Sequence, residues 1–330
     1  MPHPDIPVLH LDGLRTEFRI DGTWRAAVDG ISFALRRGET LALVGESGCG
    51  KSATALSIMG LLPRPAGRIA AGRIVLAGRD IAGLPDRALE QLRGDRMAMI
   101  FQEPMTSLNP VMTIGAQVAE ALRLHRGASR QAANRQALAA LEEVRIPAAA
   151  QRFHDYPHQF SGGMRQRVMI AIALACEPAL LLADEPTTAL DVTIQAQVLG
   201  LLADLKARHG MAMLFITHNL GVVAQIADRV AVMYAGQIVE QGSVHAIFAR
   251  PRHPYTAALF AAIPRLDRDG QALAAIPGRV PSLDAMPAGC RFAPRCTLAC
   301  AGCAQPQALA PAGPDHAARC HLAAGGFALA

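Results

Sequence analysis

Short, uncharged apolar runs punctuate the chain. Thr40-Leu41-Ala42-Leu43-Val44, Met97-Ala98-Met99-Ile100-Phe101, Ala179-Leu180-Leu181-Leu182-Ala183, Leu214-Phe215-Ile216 and Val230-Ala231-Val232-Met233-Tyr234 are too short for helices. Such runs read as strands buried on both faces. Val8 to Phe18 and Ala27 to Leu35 mix apolar and polar positions and predict an antiparallel pair ahead of the first buried strand. Arg73 to Gly78 predicts a further strand and turn, and Gln237 to Glu240 a last strand after a turn. Between Thr113 and about Arg145 the period changes. Ile114, Val118, Ala121 and Leu122, then Leu138, Leu141 and Val144, recur at helical spacing in an Ala- and Arg-rich stretch. The pattern predicts an α/β core interrupted by a helical insertion.

The ends of the buried runs carry the candidate chemistry. Val44 runs into Gly45-Glu46-Ser47-Gly48-Cys49-Gly50-Lys51-Ser52, which fits G-x-x-x-x-G-K-[ST], and a helix is expected from Ala53 to Leu62. In that context the glycines let backbone N–H groups curl around phosphate oxygens, and the helix start adds its dipole. Lys51 would reach the β- and γ-phosphates and Ser52 would sit on Mg²⁺. The run from Ala179 ends in Asp184-Glu185-Pro186. In a phosphate-loop protein the first carboxylate holds Mg²⁺ and the second is suited to polarising the attacking water. Gln102 ends another run just before Glu103-Pro104, which must break regular structure, and His218 ends a third. Ser161 is a good N-cap, and Gly162-Gly163 open a helix expected to run to about Cys176, a second start suited to an anion. Phe18, then Trp24, are the candidates to stack on an adenine ring.

At 330 residues the length suits roughly two domains, and a 51% hydrophobic fraction is enough for a sizeable core. No uncharged apolar run reaches the ~18–20 residues of a membrane span. Met1 to Asp5 shows no basic start leading into an apolar stretch, so no signal peptide is expected. These features predict a cytosolic, soluble chain unless a partner holds it at a membrane. The net charge of +5 suits nucleotide phosphates or an anionic surface. No Lys/Arg block with interleaved aromatics argues for nucleic acid. Five of the seven cysteines lie between Cys290 and Cys320, a grouping that in a cytosolic chain favours a metal site over disulfides. Cys290, Cys296, Cys303 and Cys320 suit either Zn²⁺ or an iron–sulfur cluster. Cys300 is a fifth cysteine in the group, and His316 and His321 are weaker alternatives. Ten of the 22 prolines lie from Pro251 onward, marking a change of composition after Phe248.

From Val8 to Phe248 these motifs together resemble the ATP-binding subunits of ABC transporters. Ser161-Gly162-Gly163-Met164-Arg165-Gln166 looks like the ABC signature. Gln102 falls on the Q-loop glutamine, His218 on the switch histidine, and Thr188-Ala189-Leu190-Asp191 on the D-loop, where the family more often begins with Ser. The resemblance implies a P-loop NTPase (RecA-like) core with an antiparallel β subdomain and an α-helical subdomain at about 103–177. It also implies a nucleotide-binding domain over residues 1–250 and an irregular Cys-rich C-terminal extension over 251–330. It implies ATP held between the Gly45–Ala53 loop of one subunit and the Ser161-Gly162-Gly163 start of another, with Gln166 and Asp191 among the binding residues. Of the catalytic residues it implies, Lys51 and His218 contact the γ-phosphate, Glu185 acts as general base or orients the water, and Gln102 senses metal and nucleotide, while Ser52, Gln102 and Asp184 hold Mg²⁺.

Beyond Phe248, Arg252-His253-Pro254-Tyr255-Thr256, Ile276-Pro277-Gly278 and the segment from Gly289 to Cys296 resemble the ATPases of oligopeptide and dipeptide importers. That resemblance implies a related but distinct second ATPase, two transmembrane permease subunits, an extracytoplasmic peptide-binding protein and work at the cytoplasmic face of the membrane. It also implies a [4Fe–4S] cluster on Cys290, Cys296, Cys303 and Cys320. Nickel, glutathione and microcin importers share this ATPase type. A soluble ABC ATPase of repair or translation is the next reading, but the long coiled coil or second cassette of such proteins is missing from the sequence. A redox-sensing ATPase is the third, motivated by the cysteines alone.

Overall fold

The computed structural model describes residues 6–102, 107–188, 190–262 and 276–323; Glu103-Pro104 and Ala189 lie outside them. The strands, in chain order, are β1 (Leu9–Ile20), β2 (Thr23–Leu35), β3 (Thr40–Val44), β4 (Gly67–Leu76), β5 (Arg79–Asp80) and β6 (Met97–Ile100). They continue as β7 (Leu180–Asp184), β8 (Ala212–Thr217), β9 (Arg229–Tyr234), β10 (Gln237–Ser243), β11 (Ala310–Gly313) and β12 (His316–Ala318). The chain forms two compact units, each built from several stretches. Of the described residues, one holds those within 6–9, 35–39 and 76–215; the other holds those within 10–34, 40–75 and 216–323.

In the unit containing residues 76–215, β8, β7 and β6 lie side by side. β6 and β7 run parallel, with Met97 opposite Leu180 and Ile100 opposite Ala183. Every residue of β7 is buried, which is why the run reads as continuous apolar sequence. The expected helical stretch is two helices, Ile114–Arg126 and Arg130–Glu143. Gly127 ends the first in a left-handed conformation, and the Ser129 hydroxyl caps the second by accepting from Ala132 N–H. A further helix, Gly162–Leu174, is capped at Ser161.

In the other unit, β2, β1 and β4 lie side by side in one sheet. Asp21 and Gly22 both have positive φ, 48° and 77°, the geometry of a two-residue hairpin turn between β1 and β2. A second sheet has the order β11-β12-β10-β9-β3. β3 is fully buried and runs parallel to β9, whereas β9 and β10 are antiparallel. Two expectations need correction here. The helix after the phosphate-type loop runs Lys51–Met59, not 53–62, because Gly60 adopts a left-handed conformation and closes it. The Cys-rich tail is not irregular throughout. β12 pairs antiparallel with β10, with His316 opposite Gly242, and β11 pairs with β12. The tail thereby supplies the edge of a sheet begun far upstream.

No helix among the described residues is long and apolar enough to cross a membrane.

Candidate functional site

The loop after β3 has the geometry of a phosphate cradle. Gly45, Gly48 and Gly50 have φ of 155°, 79° and 108°, which L side chains rarely adopt. Two of them are also crowded. A Cβ on Gly45 would lie 2.1 Å from the Met233 carbonyl oxygen, and one on Gly50 would lie 2.6 Å from that of Ala27. Lys51 opens the following helix and is buried, and its ammonium donates to the carbonyls of Gly45 at 2.8 Å and Glu46 at 3.0 Å. The cation is thus held over the concave side of the loop. Ser47, Gly48 and Ser52 are exposed at its mouth, while Cys49 is buried and its thiol is pushed up by that burial. Ala53 continues the helix. The loop is fastened from behind by the β9–β10 turn, where Gly236 N–H donates to the Cys49 carbonyl at 2.9 Å.

In the same unit, Phe18 lies on β1 with its ring 3.0 Å from where a Cβ on Gly67 would stand. Trp24 lies on β2, and the Arg68 guanidinium sits 4.1 Å from the ring centre. Phe18 is packed on Gly67 and Trp24 is covered by a cation. His218 follows β8 and is exposed; next to it, the Asn219 side chain accepts from Gly221 and Val222 N–H and caps a short helix.

The other unit carries the acidic group. Asp184 ends β7 and is 5% exposed. Glu185, immediately after it, has φ 48°, a conformation that costs an ordinary side chain energy and that recurs at functional turns. Its carboxylate accepts from the Gln102 amide at 3.2 Å and the Thr188 hydroxyl at 2.9 Å. Gln102, distant in sequence, is thus brought to Glu185 and Thr188 at the carboxyl ends of β6 and β7. Asp191 caps the helix Val192–His209, accepting from Ile194 N–H at 2.8 Å. The Ser161 hydroxyl accepts from Met164 N–H at 3.4 Å, and Ser161 and Gly162 are exposed. Gly163 is needed for close approach, since a Cβ there would lie 2.7 Å from an Ile194 methyl. Gln166 is not presented with them. It is 1% exposed, with an amide nitrogen that has no hydrogen-bond partner among the described residues, because it falls on the inward face one turn into the helix.

In the tail, Cys290 and Cys296 pack against a core that includes Tyr234, Tyr255 and Phe292. Burial pushes the Cys320 thiol up to about 11, with Cys290, Cys296 and Cys303 close enough to add to the shift. Cys300 and Cys303 sulfurs are 3.8 Å apart. The four expected cysteines therefore share one neighbourhood. Even so, no group of three or more His, Cys, Asp or Glu among the described residues is placed to hold a metal ion. The zinc expectation has no geometry behind it, and the thiols do not converge on a formed centre. His316 is also removed as a ligand, because it is buried with Nε2 2.6 Å from a Glu240 oxygen. His321 stands over Gly302.

A strand, glycine cradle and lysine-led helix define a phosphate-loop NTPase, and the chain's architecture is that of an ATP-binding cassette. The cassette MJ0796, solved as a post-hydrolysis dimer bound to ADP and Pi, is 28% identical, with TM-score 0.64 over 72% of this chain and 98% of that one. The cbiO1 subunit from Clostridium perfringens, part of the ABC transporter complex cbiONQ, is 25% identical, with TM-score 0.63 over 74% and 92%. The family described as ABC transporter matches residues 28–188, and that described as oligopeptide/dipeptide transporter, C-terminal region, matches residues 239–303. A putative peptide import ATP-binding protein of Brucella melitensis biotype 1 is 54% identical over 90% of this chain and 91% of its own length. One of Brucella abortus is 52% identical over 91% and 90%. The chain belongs to the ABC transporter ATP-binding family with an oligopeptide/dipeptide-type C-terminal region.

Proposed function

We propose that the chain is the ATP-hydrolysing subunit of an importer of di- and oligopeptides. The observation that carries this reading is one polypeptide with both a lysine-closed phosphate cradle and the C-terminal region typical of that transporter type. The reaction is ATP + H₂O → ADP + phosphate. In it, Lys51 and the loop amides of residues 45–53 take the charge of the β- and γ-phosphates. Glu185 orients the attacking water and accepts its proton, and the Gln102 amide and Thr188 hydroxyl keep that carboxylate aimed. His218 contacts the γ-phosphate. Phe18 stacks on the adenine. Ser52, Gln102 and Asp184 would hold Mg²⁺, which neutralises phosphate charge when bound. Ser161, Gly162 and Gly163 approach the ATP of a second ATPase subunit, whose own loop receives the same service in return, with Gln166 and Asp191 bracing those elements.

The assembly we infer has two ATPase subunits of related but distinct sequence beneath two permease subunits at the cytoplasmic face, fed by an extracytoplasmic peptide-binding protein. The domain division in this reading is a nucleotide-binding part over residues 1–250 and an extension over 251–330. A [4Fe–4S] cluster on Cys290, Cys296, Cys303 and Cys320 is its last element. What supports it is the shared neighbourhood of those four thiols, with Cys290 N–H donating to the Cys303 carbonyl at 2.9 Å. Iron and sulfide analysis of anaerobically purified protein tests that element by itself.

The decisive test is co-purification from membranes followed by reconstitution. ATP hydrolysis that rises with a peptide-loaded binding protein supports the reading. Stimulation by nickel or glutathione, or hydrolysis indifferent to any permease, overturns it.

A further inference from the structure

The His253-Pro254-Tyr255 segment and the loop from Cys290 to Cys296 converge on Glu46, the second residue of the phosphate loop. Each step of that convergence has a physical cause. Glu240, fully buried on β10, accepts from the backbone N–H of Arg252 at 2.6 Å and of His253 at 2.9 Å, and lies 2.6 Å from His316. This anchors the chain as it leaves the sheet. His253 Nδ1 then accepts from Tyr255 N–H at 3.1 Å, and Pro254 occupies the first position of the helix Pro254–Ala261, where its missing N–H costs nothing. The result fixes Tyr255, which is completely buried, with its hydroxyl 2.9 Å from the Glu46 N–H that it receives.

The second arm is Arg295. It lies in a tight turn between two cysteines. Ala293 N–H donates to the Cys290 carbonyl at 3.1 Å, and Cys296 N–H to that of Ala293 at 3.2 Å. Its side chain is 5% exposed. One terminal nitrogen donates to both carboxylate oxygens of Glu46 at 3.1 Å, and the remaining nitrogens donate to the Pro277 carbonyl at 2.7 Å and the Ile276 carbonyl at 3.4 Å. Phe292, between the cysteines, packs edge-on to Tyr234 and against Tyr255 at 5.3 Å each. Arg291, on the same turn, bonds Asp29 and the Ala235 carbonyl. With Lys51 on its carbonyl, all three polar groups of Glu46 are taken.

From this arrangement we infer that Arg295 is a positioning residue for nucleotide binding, acting through Glu46. A carboxylate at the edge of a polyphosphate cradle opposes its ligand. Arg295 neutralises that charge and, with Tyr255, holds the loop's first turn in the shape that receives phosphate, so less ordering remains to be done on binding. The C-terminal extension is thus part of the ATP site. The inference rests on the ATPase reading above.

The test uses the full chain and measures ATP affinity, turnover at saturating ATP, and amide exchange of residues 45–50 without nucleotide. Arg295→Ala is expected to raise the ATP Kd about tenfold, the effect of one charge-assisted hydrogen bond, with kcat within about twofold. Arg295→Lys keeps the charge, loses the fork and is expected to fall between. Adding Glu46→Gln to Arg295→Ala recovers part of the affinity, because the uncompensated carboxylate is gone; a purely structural Arg295 gives no such recovery. Folded Arg295→Ala and Arg295→Lys proteins with unchanged Kd would overturn the inference, and so would a Glu46→Gln effect simply added to that of Arg295→Ala. If the wild-type chain bound no ATP, the function would be withdrawn and exchange alone would decide. Faster exchange at residues 45–50 in Arg295→Ala supports the restraint, and unchanged exchange refutes it.

Discussion

The phosphate loop and the acidic turn after β7 answer the same problem, a polar group held at the end of a buried strand, in opposite ways. The loop gives its unusual φ values to glycines and is secured by residues far along the chain. Tyr255 is 209 positions away and Arg295 is 249. The acidic turn gives its unusual φ to Glu185 itself and is secured partly by its immediate neighbour Thr188, three residues on. A cradle built mostly of backbone has few side chains of its own to stiffen it, Lys51 on the Gly45 and Glu46 carbonyls being one, so part of its rigidity comes from distant residues. A carboxylate that must aim at one point is stiffened by bonds to its own oxygens. The strain at Glu185 is retained where a glycine would relieve it, and a glycine would remove the carboxylate that Gln102 and Thr188 bond.

The largest effect we expect separates the two regions by function. Glu185→Gln should lower kcat by roughly 10²–10⁴-fold while ATP affinity stays within about twofold, and should hold a paired state in ATP and Mg²⁺. Stopped-flow turnover and size-exclusion of the variant check this, and normal turnover would remove Glu185 from its role. Lys51→Ala should do the reverse, raising the ATP Kd roughly 10- to 100-fold through lost charge-assisted bonds; equilibrium titration with a fluorescent analogue measures it.

The contrast in backbone strain gives a smaller pair. Gly50→Ala forces a Cβ to within 2.6 Å of the Ala27 carbonyl and should cost about 1–3 kcal/mol in chemical denaturation. Glu185→Gly should leave stability within about 1 kcal/mol of wild type, since relief of the left-handed strain offsets added chain entropy. Equal losses at both positions would erase the distinction.

A last effect concerns the remote anchor of the phosphate loop. Burial holds the His253 imidazole down to about 3 from its ordinary 6.5. Below about pH 6.5 the unfolded chain takes up a proton there that the folded chain refuses. Stability is therefore lost as pH falls from about 6.5 toward 3, with no further loss from this group below that. His253→Asn keeps an N-cap acceptor and removes the titration. Denaturation midpoints at pH 7 and pH 5 should differ less in the variant, and an unchanged difference would place the pH sensitivity elsewhere.

Much of the acidic turn and of the loop's own chemistry was legible, because both obey local grammar. A fully buried strand is written as an unbroken apolar run, as in β3 and β7, and the polar residue that ends it stands out. Helix limits at Gly60 and Gly127 were less readable, since a left-handed glycine stops a helix inside an otherwise helical pattern. The strands β11 and β12 were missed for a different reason. Ala310–Gly313 and His316–Ala318 have little strand propensity; β12 forms against β10, and β11 against β12.

What the amino-acid order determines unaided is therefore the placement of groups within a few residues of one another: the glycines, Lys51 and Ser52 of the cradle, the carboxylates at 184 and 185, and the Ser161 cap. These depend on backbone conformations that neighbouring residues dictate. Folding alone decided that Glu46 is met by Tyr255 and Arg295, that Gln102 meets Glu185, and that Glu240 and His316 share a buried bond. Such pairings join residues scores of positions apart, and no local propensity records them. They arise because sheet order and the exclusion of water bring particular side chains to the same dry place, where a charge or hydroxyl must find a partner.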